Sequence, residues 1–111
     1  MRTEELEVEN VSILRLFDRI DSNSCKELKG KVNSLIDNNK LKLLLDLQNV
    51  ESVDSSGLGM LISCLKSVTN AGGLLKISHL HNGTKNTFYL TRMDRIFDIF
   101  ENNETALHSF R

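Results

Sequence analysis

Asp54-Ser55-Ser56-Gly57-Leu58-Gly59 separates two segments with different apolar patterns. Before it runs Leu43-Leu44-Leu45-Asp46-Leu47, too continuously apolar for an edge strand and suited to a central, parallel one. After it the apolar residues Leu58, Leu61, Ile62, Leu65 and Val68 recur three and four apart, as on one face of a helix. The hexapeptide is therefore a strand-to-helix turn, with two hydroxyls and two glycines at the start of a helix. The first amides of a helix lack intrahelical partners and carry partial positive charge, so this place suits an anion. It invites phosphate, as a ligand or as a covalent mark. The same residues also read as helix-start construction, since Asp and Ser are common N-caps and Gly relieves a tight turn.

Outward from this turn the elements alternate. Glu5-Leu6-Glu7-Val8-Glu9 has the period of two of a half-buried strand, Asn10 marks a turn, and Val11 to Phe17 returns as a second strand, making a hairpin. Cys25, Leu28, Val32, Leu35 and Ile36 fall on one face of a first helix that ends at Asp37-Asn38-Asn39. Leu41 to Leu47 is the third strand, and Gln48 to Val53 links it to the turn. The second helix stops at Ala71-Gly72-Gly73. Leu74 to Ser78 is a strand, Gly83 to Thr91 a helix with Phe88 facing inward, Ile96 to Phe100 a short strand, and Asn103 to Phe110 a last helix. The order ββαβαβαβα predicts an α/β fold with a mostly parallel sheet and an antiparallel hairpin at its start. Residues 1–111 read as one domain, without repeats or linkers.

The totals exclude several classes. A net charge of −1 with scattered Lys and Arg argues against nucleic acid as a partner. No stretch approaches the roughly 20 apolar residues that span a membrane, so no membrane association is expected. The acidic Met1–Asn10 segment has no secretory pattern, and the expected location is cytoplasmic. Cys25 and Cys64 form no CxxC pair and have no histidine at ligand spacing, so both read as buried or half-buried thiols.

Enzyme chemistry finds little support. GxSxG is absent, because Asp54 stands two before Ser56 and Val53 two before Ser55. GxxxxGK[ST] is missing, and Ile62 occupies the third glycine position of GxGxxG. His79 and His81 follow a strand, and nothing in the sequence brings them to Ser55, so they read as satisfied loop residues. Asp18, Asp21, Asp46 and Asp54 are expected along one rim of the sheet, without the spacing of a metal loop. No catalytic residue, metal or cofactor is expected.

Taken together, the order of elements and Val53-Asp54-Ser55-Ser56-Gly57-Leu58-Gly59 resemble the STAS domain, and more closely the stand-alone bacterial anti-sigma factor antagonists. Softer matches are Leu14-Arg15-Leu16 through Ile20-Asp21, Leu45-Asp46-Leu47, and Thr87-Phe88-Tyr89-Leu90-Thr91 through Asp94-Arg95-Ile96-Phe97. The resemblance implies a small sheet with helices packed mainly on one side. It implies a non-enzymatic protein that binds an anti-sigma factor serine kinase, so that the sigma factor is released. The kinase then phosphorylates the first serine of the motif, which falls on Ser55, and binding ends; a metal-dependent serine phosphatase reverses the mark. The expected binding surface comprises Asp21, Asp54, Ser55, Ser56, Gly57 and Met60. Met60 lies off the Leu61–Leu65 stripe and reads as exposed, with core filler as its other reading. The alternatives are a STAS subunit of another assembly, such as a stressosome scaffold or a lipid-transport complex, and a small Ser-dependent or nucleotide-using enzyme. The chain departs from the family at Asp18, where glycine is usual near the end of the second strand, and at Arg92-Met93, where Gly-Leu is frequent. Asp tolerates left-handed backbone better than most residues, so the turn at Asp18 is expected to survive.

Overall fold

The computed structural model describes all 111 residues. In chain order they form β1 (Thr3–Val8), β2 (Val11–Ile20), α1 (Cys25–Asp37), β3 (Lys42–Val53), α2 (Ser55–Asn70), β4 (Leu74–Ser78), α3 (Asn82–Leu90), a 3-10 turn (Met93–Arg95), β5 (Ile99–Phe100) and α4 (Asn103–Ser109). One sheet holds the strands in the order β1-β2-β3-β4-β5. The β1–β2 pair is antiparallel and every other pair is parallel. The hairpin closes through Glu9 and Asn10, with φ of 53° and 68°, the two positive values that a two-residue turn matched to strand twist requires.

Alternation along the strands sorts side chains onto two faces. Leu14, Leu16, Leu43, Leu45, Leu47 and Ile77 face the main core, which α1 covers with Leu28, Val32 and Leu35, and α2 with Leu58, Leu61, Cys64 and Val68. Phe88 of α3 and Phe97 complete it, their ring centroids 6.2 Å apart. Each fully buried Leu or Ile contributes about 1.5–3 kcal/mol. The opposite face is smaller: α4 lays Ala106, together with Phe110 just past its end, over Val11, Ile13 and Leu44. Helices therefore lie mainly on one side, as expected.

The third strand is longer than its sequence suggested. It continues through Gln48–Val53, the stretch read as a link. Two register shifts against β2, between Arg15 and Phe17 and between Asp18 and Arg19, each place one extra residue in β3. These bulges turn the usual period of two into a period of three, so that Leu47, Val50 and Val53 all reach the main core. Asp18 lies at the second bulge with φ 67°, the left-handed conformation anticipated for it. Conversely, only Ile99–Phe100 of the predicted last strand pairs with β4, because Met93–Arg95 is drawn into a 3-10 turn entered through Arg92 at φ 63°.

Asp46 is not on the rim. It shares the parity of Leu44, so it is buried beneath α4, with none of its surface exposed. Its carboxylate accepts hydrogen bonds from Gln48 N–H (3.0 Å), Asn103 Nδ2 (3.0 Å), His79 Nδ1 (3.1 Å) and Arg15 Nε (3.4 Å). Ser78 Oγ donates to Asn103 Oδ1, so this network pins the first residue of α4 to the sheet. Burial would push the Asp46 carboxyl up, but the bonds from Gln48, Asn103 and His79 outweigh it and hold the group below its ordinary range. A carboxylate depressed in the folded state contributes stability above its unfolded value of about 4 and loses it as pH falls through the folded value. Asp46→Asn is therefore expected to cost about 1–3 kcal/mol at neutral pH, with the gap to wild type closing in acid. Urea unfolding across pH measures this; a gap that persists undiminished in acid would assign the loss to packing instead of charge.

Candidate functional site

The carbonyl at the end of β2 sets the site. Ile20 O accepts from Asp54 N–H at 3.2 Å, tying the end of β3 to that of β2. Gly57 packs against the same carbonyl so closely that a Cβ there would lie 2.1 Å from Ile20 O. Asp54 adopts extended backbone, φ −90° and ψ −176°, and its side chain accepts from Gly57 N–H at 2.8 Å. Its own carbonyl accepts from Leu58 N–H at 2.9 Å, opening α2. Asp54 and Gly57 thus build the joint, Asp54 as the N-cap and Gly57 as the residue that allows the close approach.

The two serines do not. Ser55 and Ser56 are exposed, and neither hydroxyl makes a hydrogen bond. Their backbone N–H groups have no acceptor within the chain. Ser55 therefore presents a free hydroxyl beside free helix-end donors, on a backbone held by its neighbours.

The loop before α1 meets this turn. Asp21 Oδ1 accepts from the N–H groups of Asn23 (3.0 Å) and Ser24 (3.3 Å), and Ser24 Oγ donates to Arg19 O at 2.8 Å. Cys25 follows, and its thiol donates to Ser56 O at 3.4 Å. Burial pushes the Cys25 thiol up, and the charges of Asp54 and Asp21 add to the shift. The contact of the Cys25 thiol with the Ser56 carbonyl brings the start of α1 against the start of α2. Neither Asp21 nor Asp54 takes part in an ion pair, so the rim carries unneutralised negative charge.

Met60 is half-buried and leans on the main core, so it is less free than anticipated. Two residues here have a setting that the sequence does not display. Cys25 reads in sequence as a packing thiol; the tertiary contact with Ser56 places it here. Gly59 was read with Gly57 as relief for a tight turn, yet a Cβ on it would meet nothing within 4 Å. Cys64 is buried in the core, its thiol pushed up to about 11 by burial. His79 and His81 are satisfied away from Ser55, by Asp46 and by the Val50 carbonyl, respectively. No three His, Cys, Asp or Glu side chains are arranged to hold a metal ion. None of the three surface cavities is lined by residues of the motif, and both serines are exposed.

A mixed five-stranded sheet with its helices mainly on one face, and a capped, serine-bearing turn between β3 and α2, defines the class: a small α/β domain. The STAS domain model matches residues 3–106, and the chain belongs to the STAS domain family. Similar proteins include candidate anti-sigma factor antagonists from Thermotoga neapolitana, 36% identical over 66 residues, and Thermotoga maritima, 33% identical over 70 residues. These matches cover 60% and 63% of this chain and 58% and 62% of the relatives' own lengths. The crystal structure of a candidate antagonist from Thermotoga maritima superposes with a TM-score of 0.89 at 26% identity, covering 96% of this chain and 92% of that one. The anti-sigma factor antagonist SpoIIAA shares the fold at 14% identity in both solved forms. Its unphosphorylated form gives a TM-score of 0.73, covering 99% of this chain and 98% of that one. Its phosphorylated form, from Bacillus, gives 0.74, covering 99% and 100%.

The two glycines separate construction from contact. Gly57→Ala forces a side chain onto the Ile20 carbonyl and is expected to lower stability by about 1–3 kcal/mol. Gly59→Ala meets open space in a helix and is expected to be neutral or to stabilise by up to about 1 kcal/mol. Denaturant titration of both variants checks the contrast; equal destabilisation would show that Gly59 is also a packing residue.

Proposed function

We propose that this protein is an anti-sigma factor antagonist. In this reading it binds an anti-sigma factor serine kinase through the rim formed by Asp21, Asp54, Ser55, Ser56, Gly57 and Met60. Phosphorylation of Ser55 by that kinase ends binding, and a metal-dependent serine phosphatase restores it, all within the cytoplasm. The observation that carries the reading is Ser55 itself: exposed at the first position of α2, its hydroxyl unused by the fold. Gly59 supports it. A glycine inside a helix costs about 1 kcal/mol relative to alanine, and no contact within the chain requires this one. A bare backbone one turn from Ser55 suits close approach by a partner. SpoIIAA matches this fold to nearly the same degree in its two forms, which supports a phosphate that alters a surface and leaves the fold alone.

The electrostatics give the switch its sign. Phosphate adds about −1.5 to −2 charges at Ser55. Asp54 and Asp21 already place unpaired negative charge on this rim, so a partner fitted to a neutral hydroxyl meets repulsion and a desolvation cost. Within the domain the added charge sits at a helix N-terminus, where an exposed anion stabilises by about 0.3–1 kcal/mol.

Ser55→Asp is therefore expected to melt close to wild type while losing most of its affinity for the kinase. Ser55→Ala is expected to bind and to resist phosphorylation, acting as a constitutive antagonist. Thermal melting, calorimetric titration with the kinase and site mapping after incubation with kinase and ATP test this together. Tight binding by a folded Ser55→Asp, or phosphate found on Ser56 alone, would overturn the reading.

A further inference from the structure

The six glycines divide by what the chain asks of them. A Cβ on Gly57 would lie 2.1 Å from Ile20 O, and one on Gly73 would lie 2.3 Å from Leu41 O. Gly72 holds φ 83°, and a Cβ on Gly83 would touch the His81 ring at 3.4 Å. Gly30 and Gly59 differ. Both lie inside helices, in α1 and α2, and both are exposed. A Cβ on either would meet nothing within 4 Å. A glycine within a helix destabilises it relative to alanine, because its unfolded backbone has more freedom to lose. At these two positions no contact within the chain offsets that loss.

Both stand on the outer shoulder of one helix pair. Cys25 meets Ser56, and Lys29 Nζ donates to Ser63 O (2.9 Å), Ser63 Oγ (2.8 Å) and Ser67 Oγ (2.6 Å), so α1 and α2 run side by side from the rim. Successive residues turn about 100° round a helix. Gly30 is therefore one step past Lys29, on the side away from the buried stripe of Leu28, Val32 and Leu35. Gly59 lies one turn after Ser55, within about 40° of it, and opposite the buried Gly57, Leu61, Cys64 and Val68. Its neighbours three and four residues away on the outer surface are Ser55, Ser56, Ile62 and Ser63. The missing side chain leaves a notch between those two pairs, and the half-buried Ile62 makes its floor partly apolar.

Resting on the reading of this protein as a kinase-binding antagonist, we infer that Gly59 and Gly30 are contact positions for that kinase. The kinase lays a segment across the α1–α2 shoulder, seats an apolar side chain in the notch at Gly59, and packs against the bare main chain at Gly30. This footprint is continuous with the rim, because Ser55 is itself a wall of the notch. It gives the phosphate a steric role beside its electrostatic one. Residues four apart on a helix have Cβ atoms roughly 5–6 Å apart, so a phosphate on Ser55 reaches over the notch and fills the volume of the partner's side chain. The added charge of about −1.5 to −2 then sits where the partner is apolar.

Filling the two positions tests this on the full chain, because folding and binding then move in opposite directions. Gly59→Ala, Gly59→Leu and Gly30→Leu are expected to melt at or above wild type, since each replaces glycine with a better helix former in open space. Calorimetric titration with the kinase used for the Ser55 variants is expected to show affinity lowered at least ~10-fold by each leucine, and less by Gly59→Ala. Asn86→Leu places the same side chain at an exposed position of α3, away from the shoulder, and is expected to bind as wild type. A Gly59→Leu or Gly30→Leu variant that binds as tightly as wild type would overturn the inference, and so would an equal loss in Asn86→Leu. The two readings fail separately. A folded Ser55→Asp that binds tightly removes the antagonist reading and this one with it. Loss of binding in Ser55→Asp with full binding in Gly59→Leu removes the notch alone.

Discussion

Everything at the functional end of this molecule hangs on one carbonyl, that of Ile20. It accepts the Asp54 N–H, which joins the ends of β2 and β3, and it fills the space that any side chain at position 57 would need. A helix that starts in contact with a strand end has little freedom in direction, so α2 leaves the sheet along one line and its apolar stripe falls on the main core. The Asp54 carboxylate completes the constraint by holding Gly57 N–H. The consequence for chemistry is indirect: with the joint made by residues 54 and 57, the side chains of Ser55 and Ser56 make no hydrogen bond within the fold and face water.

Much of this was legible before any coordinates. Continuous apolar runs gave the central strands, three-and-four spacing gave α1 and α2, and the acid–serine–glycine cluster gave the turn between them. Even the departure at Asp18 behaved as its chemistry indicates, holding a left-handed φ where glycine is usual in the resembling family. The failures share a cause. The second half of β3 reads as a link because two bulges convert its alternation into a period of three, and a bulge is decided by the partner strand, which local sequence does not display. The last strand shrank because the chain around Arg92 winds into a 3-10 turn that buries Phe97 against Phe88.

Asp46 shows the same limit for side chains. By sequence it was one of several strand-end acids. In the fold it is enclosed, because a helix from the far end of the chain closes over it and Asn103, 57 residues away, supplies a donor. An ionised buried carboxylate is tolerable only when its oxygens are satisfied. Gln48, His79, Asn103 and Arg15 meet that need from β3, the β4 end, α4 and β2. Cys25 is the converse case, a residue whose sequence setting says packing and whose tertiary setting puts it between two rim acids.

These two acidic environments also explain why charge can act at one end of the domain without endangering the whole. Asp46 sits in low-dielectric surroundings, where losing a partner leaves an unsatisfied charge, so the network fixes α4 and tolerates little change. At the rim, Asp21 and Asp54 are solvated, bonded to backbone N–H groups and free of ion pairs. Added negative charge there is screened over about 8–10 Å at ordinary ionic strength, which leaves the core untouched. A partner pressed against the same rim displaces that solvent and feels the charge at contact distance, where screening no longer helps. The same charge is therefore mild for the free domain and severe at an interface, because water covers the rim in one case and not in the other.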